Sequence, residues 1–176
     1  MIKHYWSTPI GEYTLDDVSL EGHLGDLLNK DYSQGGEFNL LEEGDVFLNW
    51  VYECARDYTS GLYPKYHENM LVRSWVNTQK PLEDLPVHSH APVDFVGVFY
   101  LNSRDTHPSL QVYDPRPPHK FNEVVSGTVD CARHIDINPE KNKLVFFPGY
   151  LLHGVRANMT REVRQSIAMN FRIVNK

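Results

Sequence analysis

Two hydrophobic periods divide this chain near residue 69. Before that point Val18, Leu20, Leu24, Leu27 and Leu28 fall within Asp16 to Asn29, and Val46, Phe47, Trp50, Val51 and Cys54 within Glu43 to Tyr58. Recurrence at three- and four-residue intervals lines one face of an α-helix, so the pattern predicts two amphipathic helices. Gly35-Gly36 marks the loop between them, and Thr59-Ser60-Gly61 closes the second with cap and turn residues. From Asn69 onward short runs rich in β-branched and aromatic residues alternate with turn residues. Strands are predicted near Met70 to Asn77, Pro86 to His90, Phe95 to Asn102, Ser109 to Tyr113, Arg133 to Ile137, Leu144 to Phe147, Gly154 to Ala157 and Val163 to Ile173.

Short strands joined by turns suit a sandwich or small barrel better than a parallel sheet, which would need helices between them. The expected fold is therefore mainly β with N-terminal helices: a double-stranded β-helix, or jelly roll, buttressed by two α-helices. No repeat or linker divides residues 1–176, so one domain is expected, with 1–68 as helical support and 69–176 as the jelly-roll core. Asp114 to His119 holds three prolines, which supply no amide donors, and is read as an ordered loop.

Composition narrows the function classes. A formal charge of −6 gives no electrostatic reason to bind nucleic acid or an anionic membrane. Cys54 and Cys131 form no Cys-x-x-Cys pair, and two inert cysteines suit a reducing compartment. No run approaches the ~20 apolar residues of a membrane span, and Met1 to Trp6 lacks a secretory apolar stretch. A cytoplasmic protein, in a bacterial or phage-infected bacterial cell, is the expectation. Asn158-Met159-Thr160 fits a glycosylation sequon and is read as a chance match.

Chemistry concentrates in the second half. His88 and His90 share a face if one strand continues through both, and neutral imidazole ligates iron, zinc, copper and nickel. A third histidine, His153, follows Phe146-Phe147-Pro148-Gly149-Tyr150-Leu151-Leu152; distant strands become neighbours in a jelly roll, so it can join the same site. Period-two alternation puts Arg164, Ser166, Ala168 and Asn170 on one face and Ile167, Met169 and Phe171 on the other. An arginine facing the interior needs an anion. A bound carboxylate supplies one, and an internal ion pair with one of the 23 acidic side chains is the alternative.

Ser74-Trp75-Val76-Asn77, His88-Ser89-His90, Val96-Gly97-Val98-Phe99-Tyr100-Leu101, Tyr113-Asp114-Pro115-Arg116, Phe147-Pro148, His153 and Arg164-Gln165-Ser166 together resemble the Fe(II)- and 2-oxoglutarate-dependent oxygenases, in particular a group of small bacterial and phage proteins related to prolyl hydroxylases. The opening Trp6-Ser7-Thr8-Pro9-Ile10 extends the resemblance over most of the chain. It implies an enzyme using Fe(II), 2-oxoglutarate and O2, with succinate and CO2 as products. His153 becomes the distal metal ligand, and Arg164, assisted by Ser166 and Tyr100, the partner of the distal carboxylate of 2-oxoglutarate.

The chain departs from the family pattern, which has His-x-Asp or His-x-Glu where this sequence has His-x-His. Three ligand sets remain open: His88, His90 and His153 together; one of the first two with a carboxylate from Asp94 or Asp114; or one of them with none. Phe95, Phe99, Phe146 and Phe147 are candidates for the apolar walls of such a site or for ordinary core. Asp114 to His119 and Asn122 to Asp130 are candidates to cover its entrance. A cupin-type metal enzyme using Asp94, and a non-catalytic metal- or ligand-binding jelly roll, are the competing readings; the cupin requires no inward arginine on the last strand, and the non-catalytic jelly roll predicts no 2-oxoglutarate turnover. The substrate is unnamed by the residues, with a peptide or protein suggested by analogy alone. The helix around Trp50 offers a face for a homodimer.

Overall fold

The computed structural model describes residues 7–20, 22, 24–25, 40–42, 44–62, 67–116 and 134–175. Nine strands and one long helix organise them: β1 (Gly11–Thr14), α1 (Val46–Ser60), β2 (His67–Gln79), β3 (Leu85–His88), β4 (Phe95–Tyr100), β5 (Leu110–Tyr113), β6 (His134–Ile137), β7 (Lys143–Pro148), β8 (His153–Val155) and β9 (Arg164–Asn175). They form a five-stranded sheet of order β1-β7-β4-β9-β2 facing a four-stranded sheet of order β3-β8-β5-β6. Every pairing is antiparallel. This is the expected jelly roll.

The centre of the larger sheet is buried on both faces, which is why β4 reads Phe-Val-Gly-Val-Phe-Tyr without polar alternation. Phe95 and Phe99 of β4, Leu144 and Phe146 of β7, and Ile167, Met169 and Phe171 of β9 point outward beneath α1. Val96, Val98, Tyr100, Val145 and Phe147 point inward and meet Leu110, Val112, Ile137 and Val155 of the smaller sheet. Asp45 caps α1, its Oδ1 accepting from the amides of Phe47 at 2.8 Å and Leu48 at 3.2 Å. The buried face of α1 sets Phe47 4.7 Å from Phe99 and Tyr58 5.5 Å from Phe95, ring centre to ring centre. Each such aromatic contributes about 1.5–3 kcal/mol by leaving water.

Trp50, on the helix whose face is a candidate for a homodimer, packs its ring 5.9 Å from both Phe47 and Phe99. Two other expectations are corrected. Residues 1–68 are not purely helical support, because β1 lies within them and pairs with β7 as an edge of the larger sheet. Four residues with alternating exposure are too few to show a period, and the strand takes its conformation from its neighbour. Of the first helix expected, Val18–Leu20 form a 3-10 turn and residues 22, 24 and 25 are helical. Its remainder, Gly35-Gly36, residues 117–119 of the proline loop, the stretch 122–130 and Cys131 lie outside the described residues.

Asn158 of the sequon is fully buried. Its Nδ2 donates to the carbonyls of Gln79 at 3.1 Å and Glu162 at 2.7 Å, and its Oδ1 accepts from the Thr160 amide at 3.1 Å. The side chain thus ties the end of β2 to the approach to β9 and is closed to modification. No helix among the described residues is long and apolar enough to cross a membrane.

Gly149, in the turn after β7, is required by close approach. A Cβ there would stand 2.3 Å from the Val93 carbonyl oxygen and 2.8 Å from Val93 Cγ2. Its amide donates to the Asp94 carbonyl and its own carbonyl accepts from the His90 amide at 2.9 Å. Gly149→Ala should lower unfolding stability by about 1–3 kcal/mol, the usual cost of overpacking, measured by urea denaturation of the metal-free protein.

Candidate metal centre

β3 and β8 pair so that His88 lies opposite His153. Both side chains enter the space between the sheets, and Val155, two positions after His153, joins the same interior. The strand does not continue through His90. It ends at His88, and His90 sits in the following turn, its amide held by Gly149 and its carbonyl accepting from Val93 at 3.0 Å. The turn, rather than the two-residue period of a strand, brings the second imidazole back.

The three rings converge. Their centres lie 4.5 Å apart for His88 and His153, 5.0 Å for His88 and His90, and 5.1 Å for His90 and His153. One nitrogen from each falls within 4.8 Å of the others, a set that can hold one metal ion. His88 Nδ1 lies 2.7 Å from the Pro86 carbonyl and His153 Nδ1 2.9 Å from the Leu151 carbonyl. A carbonyl only accepts, so in both rings Nδ1 carries the proton and Nε2 presents a lone pair to the centre. His88 Nε2 and His90 Nε2 stand 3.2 Å apart. Metal–nitrogen bonds of about 2.1 Å at a right angle would separate two nitrogens by about 3.0 Å, so the pair already has the spacing of adjacent ligands.

Neither carboxylate considered from the sequence reaches this centre. Asp94 turns to the far side of the sheet, where its Oδ2 accepts from the Ile173 amide at 2.8 Å. Asp114 is held by Arg116, whose Nε and Nη2 donate to it at 2.8 Å and 2.6 Å and keep its carboxyl below the usual range. Among the described residues the one group able to hold a metal ion is made of histidines only.

A cavity of about 140 Å³ runs from the imidazoles between the sheets, walled by Val96, Val98, Leu110, Val155 and Ala168, with Arg164 and Ser166 also lining it. Arg164 is 3% exposed and Ser166 1%. No ion pair engages Arg164 among the described residues. Its Nε and the Tyr100 hydroxyl are buried without hydrogen-bond partners, and the guanidinium carbon lies 5.2 Å from the centre of the Tyr100 ring. Burial pushes the Tyr100 phenol up to about 12 even with Arg164 beside it, so it remains a donor. A buried cation with idle donors fits a carboxylate.

The family model described as "Putative 2OG-Fe(II) oxygenase" matches residues 73–170. The chain belongs to the 2OG-Fe(II) oxygenase family. Its fold agrees with several solved structures. HygX of Streptomyces hygroscopicus, with nickel and 2-oxoglutarate bound, superposes with a TM-score of 0.65 at 11% identity, over 93% of this chain and 81% of that one. A Pseudomonas putida prolyl-4-hydroxylase gives 0.62 at 15% identity, over 94% and 86%. A 2OG-Fe(II) oxygenase family oxidoreductase from Burkholderia pseudomallei gives 0.55 at 14% identity, over 75% of this chain and 59% of that one. No curated protein matches the sequence.

For this oxygenase the donor set and the idle arginine fit the family's iron(II) and 2-oxoglutarate. Of the four phenylalanines considered as site walls, Phe95, Phe99 and Phe146 lie on the α1 side of the sheet. Phe147 alone faces the centre, 4.8 Å from the His153 ring. Sequence reasoning assigned no role to Trp75 and Asn77, although both line the cavity. Their two-residue spacing in a strand was the available signal.

Burial lowers the pKa of both His90 and His153 to about 4, with the neighbouring imidazoles adding to the effect. The folded metal-free protein therefore refuses protons that the unfolded chain accepts. For groups depressed on folding, stability is complete above the unfolded value near 6.5 and is lost as pH falls through the folded one. Urea midpoints of the metal-free protein should decline from about pH 6.5 toward pH 4, and the decline should shrink in His153→Gln. An unchanged slope in that variant would contradict the assignment.

Proposed function

We propose that this protein is an Fe(II)- and 2-oxoglutarate-dependent dioxygenase in which His88, His90 and His153 hold the iron. Arg164, with Ser166 and Tyr100, takes the distal carboxylate of 2-oxoglutarate. The observation that carries the reading is the placement of three converging imidazoles and one unpaired buried arginine along a single cavity. Iron(II), 2-oxoglutarate and O2 together supply the oxidising power to hydroxylate an unactivated C–H bond, with succinate and CO2 released.

The chain's own contribution is binding, orientation and exclusion of water. Three neutral imidazoles leave the metal's two positive charges uncompensated, which favours a dianionic co-substrate over a neutral one. The Arg164 fork orients the far end of that dianion, and Tyr100 and Ser166 add hydroxyl donors beside it. Val96, Val98, Leu110 and Phe147 keep the surroundings apolar, strengthening each of these interactions. A cupin leaves Arg164 unexplained. The likeness to a prolyl-4-hydroxylase favours a peptide or protein residue as substrate.

Anaerobic addition of Fe(II) and 2-oxoglutarate should produce the weak visible charge-transfer band of the chelate. Arg164→Ala should weaken 2-oxoglutarate binding by about 2–5 kcal/mol, roughly thirtyfold or more, the cost of truncating one partner of a buried charged pair. Tightly bound metal with no band at any 2-oxoglutarate concentration would overturn the proposal in favour of a non-catalytic jelly roll.

A further inference from the structure

The three imidazoles are not held in the same way. His88 and His153 each anchor Nδ1 on a carbonyl two residues earlier, at 2.7 Å and 2.9 Å. His90 has no such anchor among the described residues; its one polar contact is Nε2 to His88 Nε2. Its backbone is fixed in the turn by Gly149 and Val93, which leaves the side-chain torsions unrestrained by hydrogen bonding. A freely rotating imidazole must give up that freedom to bind a metal, and something has to hold it beforehand.

Trp75 stands in the place of the missing anchor. Its ring stacks on His90 with centres 5.7 Å apart and planes 29° from parallel, within the usual range for an offset aromatic pair. The indole is itself pinned: Nε1 donates to Asn77 Oδ1 at 3.0 Å, and the Trp75 backbone pairs with Ala168 of β9. Trp75, Asn77 and His90 all line the cavity, so the stack forms its wall between β2 and the turn after β3. A stack fixes the plane of a ring while leaving rotation within that plane free. His90 is thereby the adjustable member of the three, with the other two set by carbonyls.

We infer that Trp75, pinned by Asn77, is the positioning residue for His90, doing by stacking what the carbonyls of Pro86 and Leu151 do for the other two imidazoles. The inference rests on the reading of His90 as a metal ligand. Partners that orient a ligating histidine are worth about ten- to a hundredfold in metal affinity.

Co(II) alone is the probe, added to the full chain and followed by titration calorimetry and by its visible ligand-field spectrum. Trp75→Ala and Trp75→Leu, the second keeping apolar bulk without a ring, should each weaken Co(II) binding about tenfold. Trp75→Phe should restore binding to within about threefold by preserving the stack. On a His90→Ala background Trp75→Leu should cost nothing further, since the ring it positions is gone. Equal Co(II) affinity and spectra in the wild type and in Trp75→Leu would overturn the inference, as would an undiminished loss on the His90→Ala background, which marks general loosening. A wild-type chain that takes up no Co(II) would instead overturn the metal-centre reading, and this inference with it.

Discussion

The register that sets His88 opposite His153 across β3 and β8 is the constraint on which the remaining chemistry depends. Side chains alternate faces along a strand, so a slip of one residue in β8 would send His153 to the outer surface and bring Gly154 inward. Gly154 holds the register from the other side, since a Cβ there would stand 2.9 Å from the Leu85 carbonyl oxygen. The close approach of β3 to β8 and the convergence of two imidazoles are thus one fact of packing.

From that pairing the electrostatics follow. The Pro86 and Leu151 carbonyls set the protonated nitrogen of two rings, and burial keeps His90 and His153 neutral. The centre is a cluster of lone pairs without compensating negative charge. At a different level of the same cavity β9 supplies a positive charge without a partner, Arg164, beside an idle phenol. Both ends favour anionic oxygen, and the apolar wall between them makes each preference stronger than it would be in water.

Rigidity is distributed unevenly around the centre. Two imidazoles stand on paired strands, while the third hangs on a turn whose position depends on a glycine and whose ring rests on an indole. The centre of the larger sheet behind them is packed on both faces, which keeps β9, and with it Arg164 and Ser166, fixed relative to β4.

Much of this was legible in the residues. The alternation of β9 was enough to put Arg164 and Ser166 on one face and Ile167, Met169 and Phe171 on the other, because a strand buried on both sides still segregates its polar positions. Eight of the nine strands announced themselves by β-branched and aromatic runs. The edge strand β1 did not, since four half-exposed residues carry no period and borrow their conformation from β7. Sequence could not choose between a third histidine and a carboxylate, because Asp94 lies only four residues from His90 along the chain. Tertiary structure separated them: the turn carries the His90 ring inward, while Asp94 bonds the Ile173 amide behind the sheet. Local periodicity records which face a residue occupies within its own strand. Which faces meet is decided by pairing between strands far apart in sequence, and that is where the three imidazoles became one centre.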